Sequence, residues 1–407
     1  MTGKNTKSSF DQAAFMEGDK MYSFKAFLPT KLIFGVKALQ KLPKEAKKLG
    51  TKAMIVTGRH STKKSGLLDR VLSLLKSAGI STVVYDKITP NPTTIQVDEA
   101  AEIAKEEGVQ FVIGLGGGSP IDSAKCIAIA SLNEGGIWNY VKVGGGKKPK
   151  SALPIIAIPT THGTGTEADP FAVITNPETK TKVGIGYNAI FPAVSLVDPE
   201  LMLTLPKNQT AYTSMDAFYH SIEAFLNKNA NPYSDLLAID SMKRIISNLP
   251  LAYKDGLDIK ARTELTWANT EAGITETITG VIANHAIEHG ISGYYPNIAH
   301  GLGLCVTGPY LFEHIFDQIF ERLAQVGREV FGIYENNDKR AARMMIEKLR
   351  DFQDHFGLNE KLSALGVEKE TLKKMADTSY EAMYGVIETT PGELKKEDLL
   401  EILERAF

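Results

Sequence analysis

The chain has 407 residues, 43% apolar and 23% charged, with a formal net charge of −2 at pH 7. That length suits two or three domains with sizeable cores. The near-neutral charge, with no face-length run of Lys or Arg, gives nucleic acid or an anionic membrane no electrostatic hold, and no apolar run approaches the roughly 20 residues of a membrane span.

Residues 1–21 carry lysines but no apolar stretch, and read as a frayed leader rather than a secretory signal. Two cysteines, Cys126 and Cys305, are too few for a disulfide framework. They read as small core residues of a cytoplasmic protein. From Tyr22, YSFKAFLPTKLIFG predicts two short strands around Pro29, and Val36 to Leu49 predicts a helix closed by Gly50. Strands and helices then alternate: AMIVTG (53–58), GLLDRVLSLLKSAG (66–79), TVVYD (82–86), IQVDEAAEIAKEEG (95–108) and FVIGLG (111–116). Continuous apolar strands between amphipathic periods predict parallel βαβ units with helices on both faces. ALPIIAIPTT (152–161) and AVSLVDP (193–199) extend the sheet, and FAVITNPETKTKVGI (171–185) predicts a hairpin across Asn176–Pro177. Beyond Pro199 strand-like runs nearly vanish, and helical periods continue to Phe407. The reading is an α/β Rossmann-like dinucleotide-binding domain over residues 22–199 and an all-α domain over 200–407.

The sheet half carries a nucleotide signal. GLGGGSPIDSAK (114–125) follows a predicted strand and opens a helix. Consecutive glycines let backbone approach a ligand, and a helix N-terminus offers free N–H groups and partial positive charge to a pyrophosphate. Gly117, Gly118, Ser119 and Asp122 are the candidates here, with Ser119 as N-cap and Pro120 at the first helical position. Ser119 stands where the Rossmann fingerprint has a third glycine, and the loop follows the third βα strand rather than the first. A second loop, PTTHGTGTEAD (159–169), offers the hydroxyls of Thr160, Thr161, Thr164 and Thr166 to a ribose, an adenine edge or a phosphate. Asn91, just before Pro92, joins the cofactor candidates. The 53–58 strand ends in Gly58 and continues through Arg59, His60, Ser61, Thr62, Lys63 and Lys64 without a carboxylate. An acidic residue for the ribose 2′-OH suits NAD, whereas a cation and room suit NADP. Gly58, Arg59 and Ser61 therefore predict a preference for NADP(H) over NAD(H).

The helical half carries a metal signal. Three of the eight histidines fall in HAIEHGISGYYPNIAH (285–300). His285 and His289 are four apart, so on a helix they share one face. Asp216 and His220 repeat that spacing in SMDAFYHSIEAFL (214–226). Two such helices together predict a divalent-metal site, and spacing alone leaves open which imidazoles bind. HAIEH also matches the H-x-x-E-H pattern of some metallopeptidases, with Glu288 as general base. A peptidase, however, has no evident use for two phosphate-suited loops.

Taken together, GGGSPIDSAK (116–125), PTTHGTGTEAD (159–169), ITNPETKTKVGI (174–185), VDPEL (197–201), MDAFYHSIEAF (215–225) and the 285–300 stretch resemble the iron-containing (group III) alcohol dehydrogenases. The resemblance implies a dehydroquinate synthase-like fold and a metal, Fe²⁺ or another divalent ion such as Zn²⁺, held by Asp216, His220, His285 and His300. It further implies that His289 faces nicotinamide and substrate and relays a proton, that Lys182 lies near the cofactor phosphates, and that the protein is a dimer or larger. The expected reaction is reversible hydride transfer between NADP(H) and a small or medium alcohol or aldehyde, with Phe171, Trp267 and Tyr295 as pocket residues. A glycerol-dehydrogenase-like polyol oxidoreductase would share the architecture. Three differences stand out against the family pattern. His162 and Thr166 replace small Ala and Ser, the step from His285 to His300 is one residue longer than the commonest spacing, and Gly58 replaces an acidic residue.

Overall fold

The computed structural model describes residues 22–407, so the predicted leader lies outside the described residues. Six parallel strands form the first layer: β1 (Lys31–Phe34), β2 (Lys52–Gly58), β3 (Ser81–Ile88), β4 (Phe111–Gly116), β5 (Ile155–Pro159) and, after a hairpin, β8 (Val194–Val197). Their spatial order is β1-β8-β5-β4-β2-β3. The hairpin strands β6 (Phe171–Asn176) and β7 (Thr181–Gly186) pair antiparallel in a sheet of their own. Around the six-stranded sheet lie α1 (Leu42–Ala46), α2 (Ser61–Lys64), α3 (Leu67–Ser77), α4 (Thr94–Glu106) and α5 (Gly118–Ala130).

Side-chain alternation along β2 separates two cores. Ala53 and Ile55 join Phe111, Ile113 and the inner faces of α1 and α3. Met54 and Val56 join Val112, α4 and α5 in a cluster that runs on into the helical half. One face of the sheet thus shares its apolar core with the helices that follow, which holds the two halves in one arrangement.

That second half is helical: α6 (Lys207–Leu226), α7 (Pro232–Lys254), α8 (Ile259–Thr279), α9 (Ala283–Tyr294), α10 (His300–His314), α11 (Phe316–Glu329), α12 (Asp338–Asp354), α13 (Leu372–Ala382), α14 (Tyr384–Ile387) and α15 (Lys396–Ala406). No helix among the described residues is long and apolar enough to cross a membrane. Cys126 and Cys305 are both free and buried.

Two local expectations need correction. Residues 22–35 contain one strand rather than two, because only Lys31–Phe34 finds a partner, β8, and Pro29 offers no N–H to a ladder. The predicted helix over 36–49 is a single 3₁₀ turn, Ala38–Lys41, followed by α1, which starts afresh at Leu42 and Pro43.

The strand order also explains the position of the glycine loop. In β3-β2-β4-β5-β8 the chain runs outward from β2 to β3 and then crosses back to β4. The reversal opens a crevice at the carboxyl ends of β2 and β4, where such sheets bind ligands. The third βα loop is therefore a suitable place for a nucleotide in this order.

Candidate metal and dinucleotide site

The loop after β4 is shaped by what its glycines permit. A Cβ on Gly114 would stand 2.7 Å from the Ile121 Cα, so glycine here lets α5 lie directly on the strand. Gly116 adopts φ +147°, a backbone conformation open to glycine. The N-cap of α5 is Gly117, not Ser119, and the helix begins at Gly118; Ser119 and Pro120 lie in its first turn. No side chain caps the first N–H groups, so they remain available to an anion.

The second loop folds over the first. The Thr160 N–H donates to the Gly116 carbonyl at 2.8 Å. A Cβ on Gly118 would lie 2.5 Å from Thr164 Cγ2, and one on Gly117 would lie 3.1 Å from Thr161 Cγ2. Gly118, Ser119 and Thr164 line a cavity of about 380 Å³, together with Asn91, Asp122 and Thr166. Gly117, Thr160 and Thr161 are not among its lining residues; they support the loop from behind.

Asp122 and Thr166 do more than line the cavity. The Thr166 hydroxyl donates to Asp122 Oδ1 at 2.7 Å, and Asp122 Oδ2 accepts from the Val173 N–H at 3.0 Å. Lys125, fully buried, donates to Thr166 Oγ1, Asp169 Oδ1 and the Phe171 carbonyl at 2.7–2.8 Å. Expected as cofactor contacts, these side chains also bolt α5 to the hairpin, since a buried ammonium must be surrounded by acceptors. Burial raises the Asp122 carboxyl to about 6, against the pull of Lys125.

At the end of β2, Gly58, Arg59 and Ser61 lie off the cavity lining. Arg59 Nε donates to the Lys87 carbonyl at 3.3 Å, and Lys63 forms an ion pair with Asp86. A carboxylate is therefore present at this sheet edge, contributed by β3. The residues after β2 alone could not reveal it, because strand pairing brings it there.

The helical half supplies side chains. Asp216 and His220 stand on α6, His285 and His289 on α9, and His300 opens α10. The His220 and His285 ring centroids are 4.3 Å apart, those of His285 and His300 5.4 Å, and those of His289 and His300 5.8 Å. Asp216 Oδ1 lies 3.5 Å from His300 Nε2 and 3.9 Å from His285 Nε2. Both Asp216 Oδ1 and His285 Nε2 are buried without a hydrogen-bond partner. Leaving two such atoms unpaired costs about 1–3 kcal/mol each, and a shared cation removes that cost. The donor set, one carboxylate and imidazoles, is that of a divalent-metal site.

Each of these imidazoles is oriented through its other nitrogen. His220 Nδ1 lies 2.9 Å from the Asp216 carbonyl oxygen, His285 Nδ1 lies 2.9 Å from Glu223 Oε1, and His300 Nδ1 bonds Glu288 Oε2. In His285 and His300 the Nε2 is left to face Asp216 Oδ1, whereas His220 brings its Nδ1 to 3.3 Å from that oxygen and turns its Nε2 toward Glu276. Glu223 and Glu288 were absent from the candidates, Glu288 apart from the peptidase pattern. Their signal is positional: Glu223 is three residues after His220 and Glu288 three after His285, reaching a histidine on another helix in each case. Such outer carboxylates fix ring orientation and basicity.

Glu288 is fully buried and also takes Lys182 Nζ at 3.1 Å and the Ser292 hydroxyl. That leaves it no free oxygen for the base role of the H-x-x-E-H reading. Lys182 itself sits at the imidazole end, 3.3 Å from His300 Nδ1, because the buried Glu288 draws it there. Burial would raise the Glu288 carboxyl, but His300 and Lys182 outweigh this and hold it below the usual range. Burial likewise raises Asp216, but His220 and His300 bring it down to about 2.

His289 differs from the others. Its Nδ1 is buried without a partner, it lines the cavity, and burial together with the nearby Lys182 cation keeps the ring neutral. Phe171 also lines the cavity, as expected. Trp267 and Tyr295 do not: Trp267 packs edge-on against Phe34, and the Tyr295 hydroxyl donates to Thr371. Further parts of the wall come from Lys142, Val143, residues 182–186, Glu276, Gly280, Val281 and residues 381–386.

His162 fills the space that a small residue would leave. Arg262 donates to its Nε2 at 2.9 Å, and its Nδ1 meets the hydroxyls of Thr213 and Ser214 at 3.3 and 3.2 Å. Burial, reinforced by Arg262, lowers the ring to about 3, so it remains a neutral strut between the second loop and α6.

The sequence profile of the iron-containing alcohol dehydrogenases matches residues 29–199, and that of the C-terminal region of the same family matches residues 210–407. A long-chain primary alcohol dehydrogenase of Thermoanaerobacter ethanolicus is 36% identical, the match covering 92% of this chain and 95% of that one. An NADH-dependent butanol dehydrogenase of Clostridium acetobutylicum is 33% identical, covering 95% and 100%. Among solved structures, an archaeal halo-thermophilic alcohol dehydrogenase from a Red Sea brine pool superposes with a TM-score of 0.92 at 38% identity, covering 96% and 100%. A butanol dehydrogenase of Thermotoga maritima gives 0.89 at 33% identity, covering 95% and 99%. With its parallel-sheet half, its helical half and matches across both, this chain belongs to the iron-containing alcohol dehydrogenase family.

Proposed function

We propose that this protein catalyses reversible hydride transfer between a nicotinamide dinucleotide and a small or medium alcohol or aldehyde. The observation that carries the reading is the pair of buried, unpartnered atoms, Asp216 Oδ1 and His285 Nε2, with His285 lining a cavity that also reaches the glycine loop. Asp216, His220, His285 and His300 would hold the divalent ion, Fe²⁺ by family, with Zn²⁺ and others compatible with the same donors. When bound, the ion draws charge from the substrate oxygen, and the nicotinamide accepts or delivers the hydride.

The chain's own residues do the rest. Free N–H groups at the start of α5 bind the pyrophosphate, with Ser119 and Thr164 beside them. Phe171 and Val281 give the cavity apolar surface. Neutral His289 takes the alcohol proton at Nδ1 or returns it, in line with general acid–base work by a ring near its neutral form. Glu223 and Glu288 hold the His285 and His300 rings in place.

The cofactor form follows from the end of β2. Gly58 leaves room for a 2′-phosphate, and Arg59 and Lys64 supply positive charge, so NADP(H) is the proposed preference. The names of relatives such as the NADH-dependent butanol dehydrogenase, and the Asp86–Lys63 pair, weigh toward NAD(H). A ratio of kcat/KM for NADPH over NADH above about ten, equivalent to about 1.4 kcal/mol, carries the proposal; a ratio below one overturns it. We further propose a cytoplasmic homo-oligomer, dimer or larger, with the domains dividing near residue 200. Light scattering and limited proteolysis test these points.

The decisive experiment combines anaerobic metal analysis with NAD(P)H oxidation over a panel of small aldehydes and diol-derived aldehydes. Bound Fe²⁺ and aldehyde-dependent oxidation are expected. Absence of both would overturn the reading, and a preference for polyols would favour the glycerol-dehydrogenase-like alternative.

A further inference from the structure

Glu276 has no part in the ligand set carried over from the family, yet it faces the same space. It stands near the end of α8, lines the cavity, and leaves 15% of its side chain exposed. Its Oε2 lies 3.5 Å from His220 Nε2, and its carboxylate receives no hydrogen bond from a protein donor among the described residues. His220 has its Nδ1 against the Asp216 carbonyl oxygen at 2.9 Å, so its Nε2 presents a lone pair. Two acceptors therefore face each other at 3.5 Å with nothing of the protein between them.

The same situation recurs inside the Asp216 cluster. Asp216 Oδ1 faces the Nε2 lone pairs of His300 at 3.5 Å and of His285 at 3.9 Å. Donor atoms about 2.1 Å from one cation stand about 3.0–3.5 Å from each other, as the bond lengths and right or tetrahedral angles require. The Glu276–His220 spacing falls at this value. A largely buried carboxylate set against an imidazole lone pair without a donor is costly, and a cation shared with His220 removes the cost.

We infer that Glu276 is a further donor to the divalent ion, giving this chain a two-carboxylate, three-imidazole set. This rests on the metal reading proposed above. Two carboxylates balance the charge of a divalent ion, whereas one leaves it net positive. The harder oxygen also favours Fe²⁺ or Mn²⁺ over Zn²⁺ relative to a set with one carboxylate. A substrate oxygen then enters beside Glu276 or in its place, so the carboxylate guards the open position.

The test uses the full chain, stripped with a chelator and titrated with Co²⁺, reading the dissociation constant and the visible absorption. Glu276→Ala and Glu276→Gln are compared with wild type, and Asp216→Ala serves as the control that abolishes binding. Both Glu276 variants are expected to bind Co²⁺ at least about tenfold more weakly. Glu276→Ala should also absorb more intensely per metal, because intensity rises as coordination number falls. Unchanged affinity and an unchanged spectrum in both variants would overturn the inference, as would an effect confined to the KM of the alcohol. If wild type itself binds no Co²⁺, the metal reading fails first and this one with it. If Asp216→Ala loses the metal while the Glu276 variants match wild type, only this inference falls. Glu276→Gln preserves shape and hydrogen-bonding capacity, so it keeps the test open should the alanine variant fold poorly.

Discussion

The two sides of the cavity are built on opposite principles. The sheet side meets its ligand with backbone: glycines that let α5 and the second loop close up, and N–H groups that no side chain caps. The helical side meets its ligand with side chains, each aligned by another side chain or carbonyl behind it. Backbone sites fail when something is added, because a Cβ collides with the neighbouring loop. Side-chain sites fail when something is removed, either the donor itself or the carboxylate that aims it. The lysine and aspartate beneath the first loop, and the glutamates behind the histidines, show that both designs need a buried polar layer to hold them.

That contrast can be broken first on the helical side. Asp216→Ala is expected to lose bound metal and to reduce turnover to background, as metal content and NAD(P)H oxidation on the same sample would show. His289→Ala should keep the metal and slow turnover by roughly 10²–10⁴, the usual share of a general acid–base group. Metal loss in that variant would mean that His289 is a ligand and that the division of roles among the histidines is wrong. Glu223→Gln should weaken metal affinity by about 10–100-fold, the effect of losing an outer carboxylate; an unchanged dissociation constant would show that His285 needs no such support.

On the sheet side, Gly118→Ala puts a methyl 2.5 Å from Thr164 Cγ2. Overpacking of this kind costs about 1–3 kcal/mol. The expected result is a higher KM for the dinucleotide with metal content untouched. Equal loss of metal would deny that the two sides are separate. The smallest effect is expected between the two sides: His162→Ala leaves the Arg262 guanidinium short of one acceptor and should cost about 1–3 kcal/mol of stability. Denaturant unfolding measures this, and activity per folded molecule should stay near wild type.

How much of this was legible in the sequence depends on how local the cause is. The alternation of apolar strands and amphipathic helices fixed the α/β half, and the helical periods after Pro199 the other, because each pattern repeats within a few residues. Asp216 with His220, and His285 with His289, could be paired because four residues make one helical turn. Their division into three ligands with Asp216 and one proton relay, His289, came from resemblance; the structure groups Asp216, His220 and His285 closely and sets His300 beside Glu288 and His289. Local signals also misled. Ser119 has the chemistry of an N-cap, but the helix starts two residues earlier, with Gly117 as its N-cap. Trp267 and Tyr295 are aromatic and near the site in sequence, yet they are spent on packing and hydrogen bonding elsewhere.

What the sequence determined by itself was the set of residues with the right chemistry and the elements that carry them, since propensity, periodicity and turn chemistry act over short range. What only the tertiary structure decided was who stands behind whom. Lys182 lies against Glu288 across 106 positions, Glu223 against His285 across 62, and Glu276 against His220 from a separate helix. Such pairs form because a buried charge must find its partner wherever packing brings one, and no local pattern records where that will be.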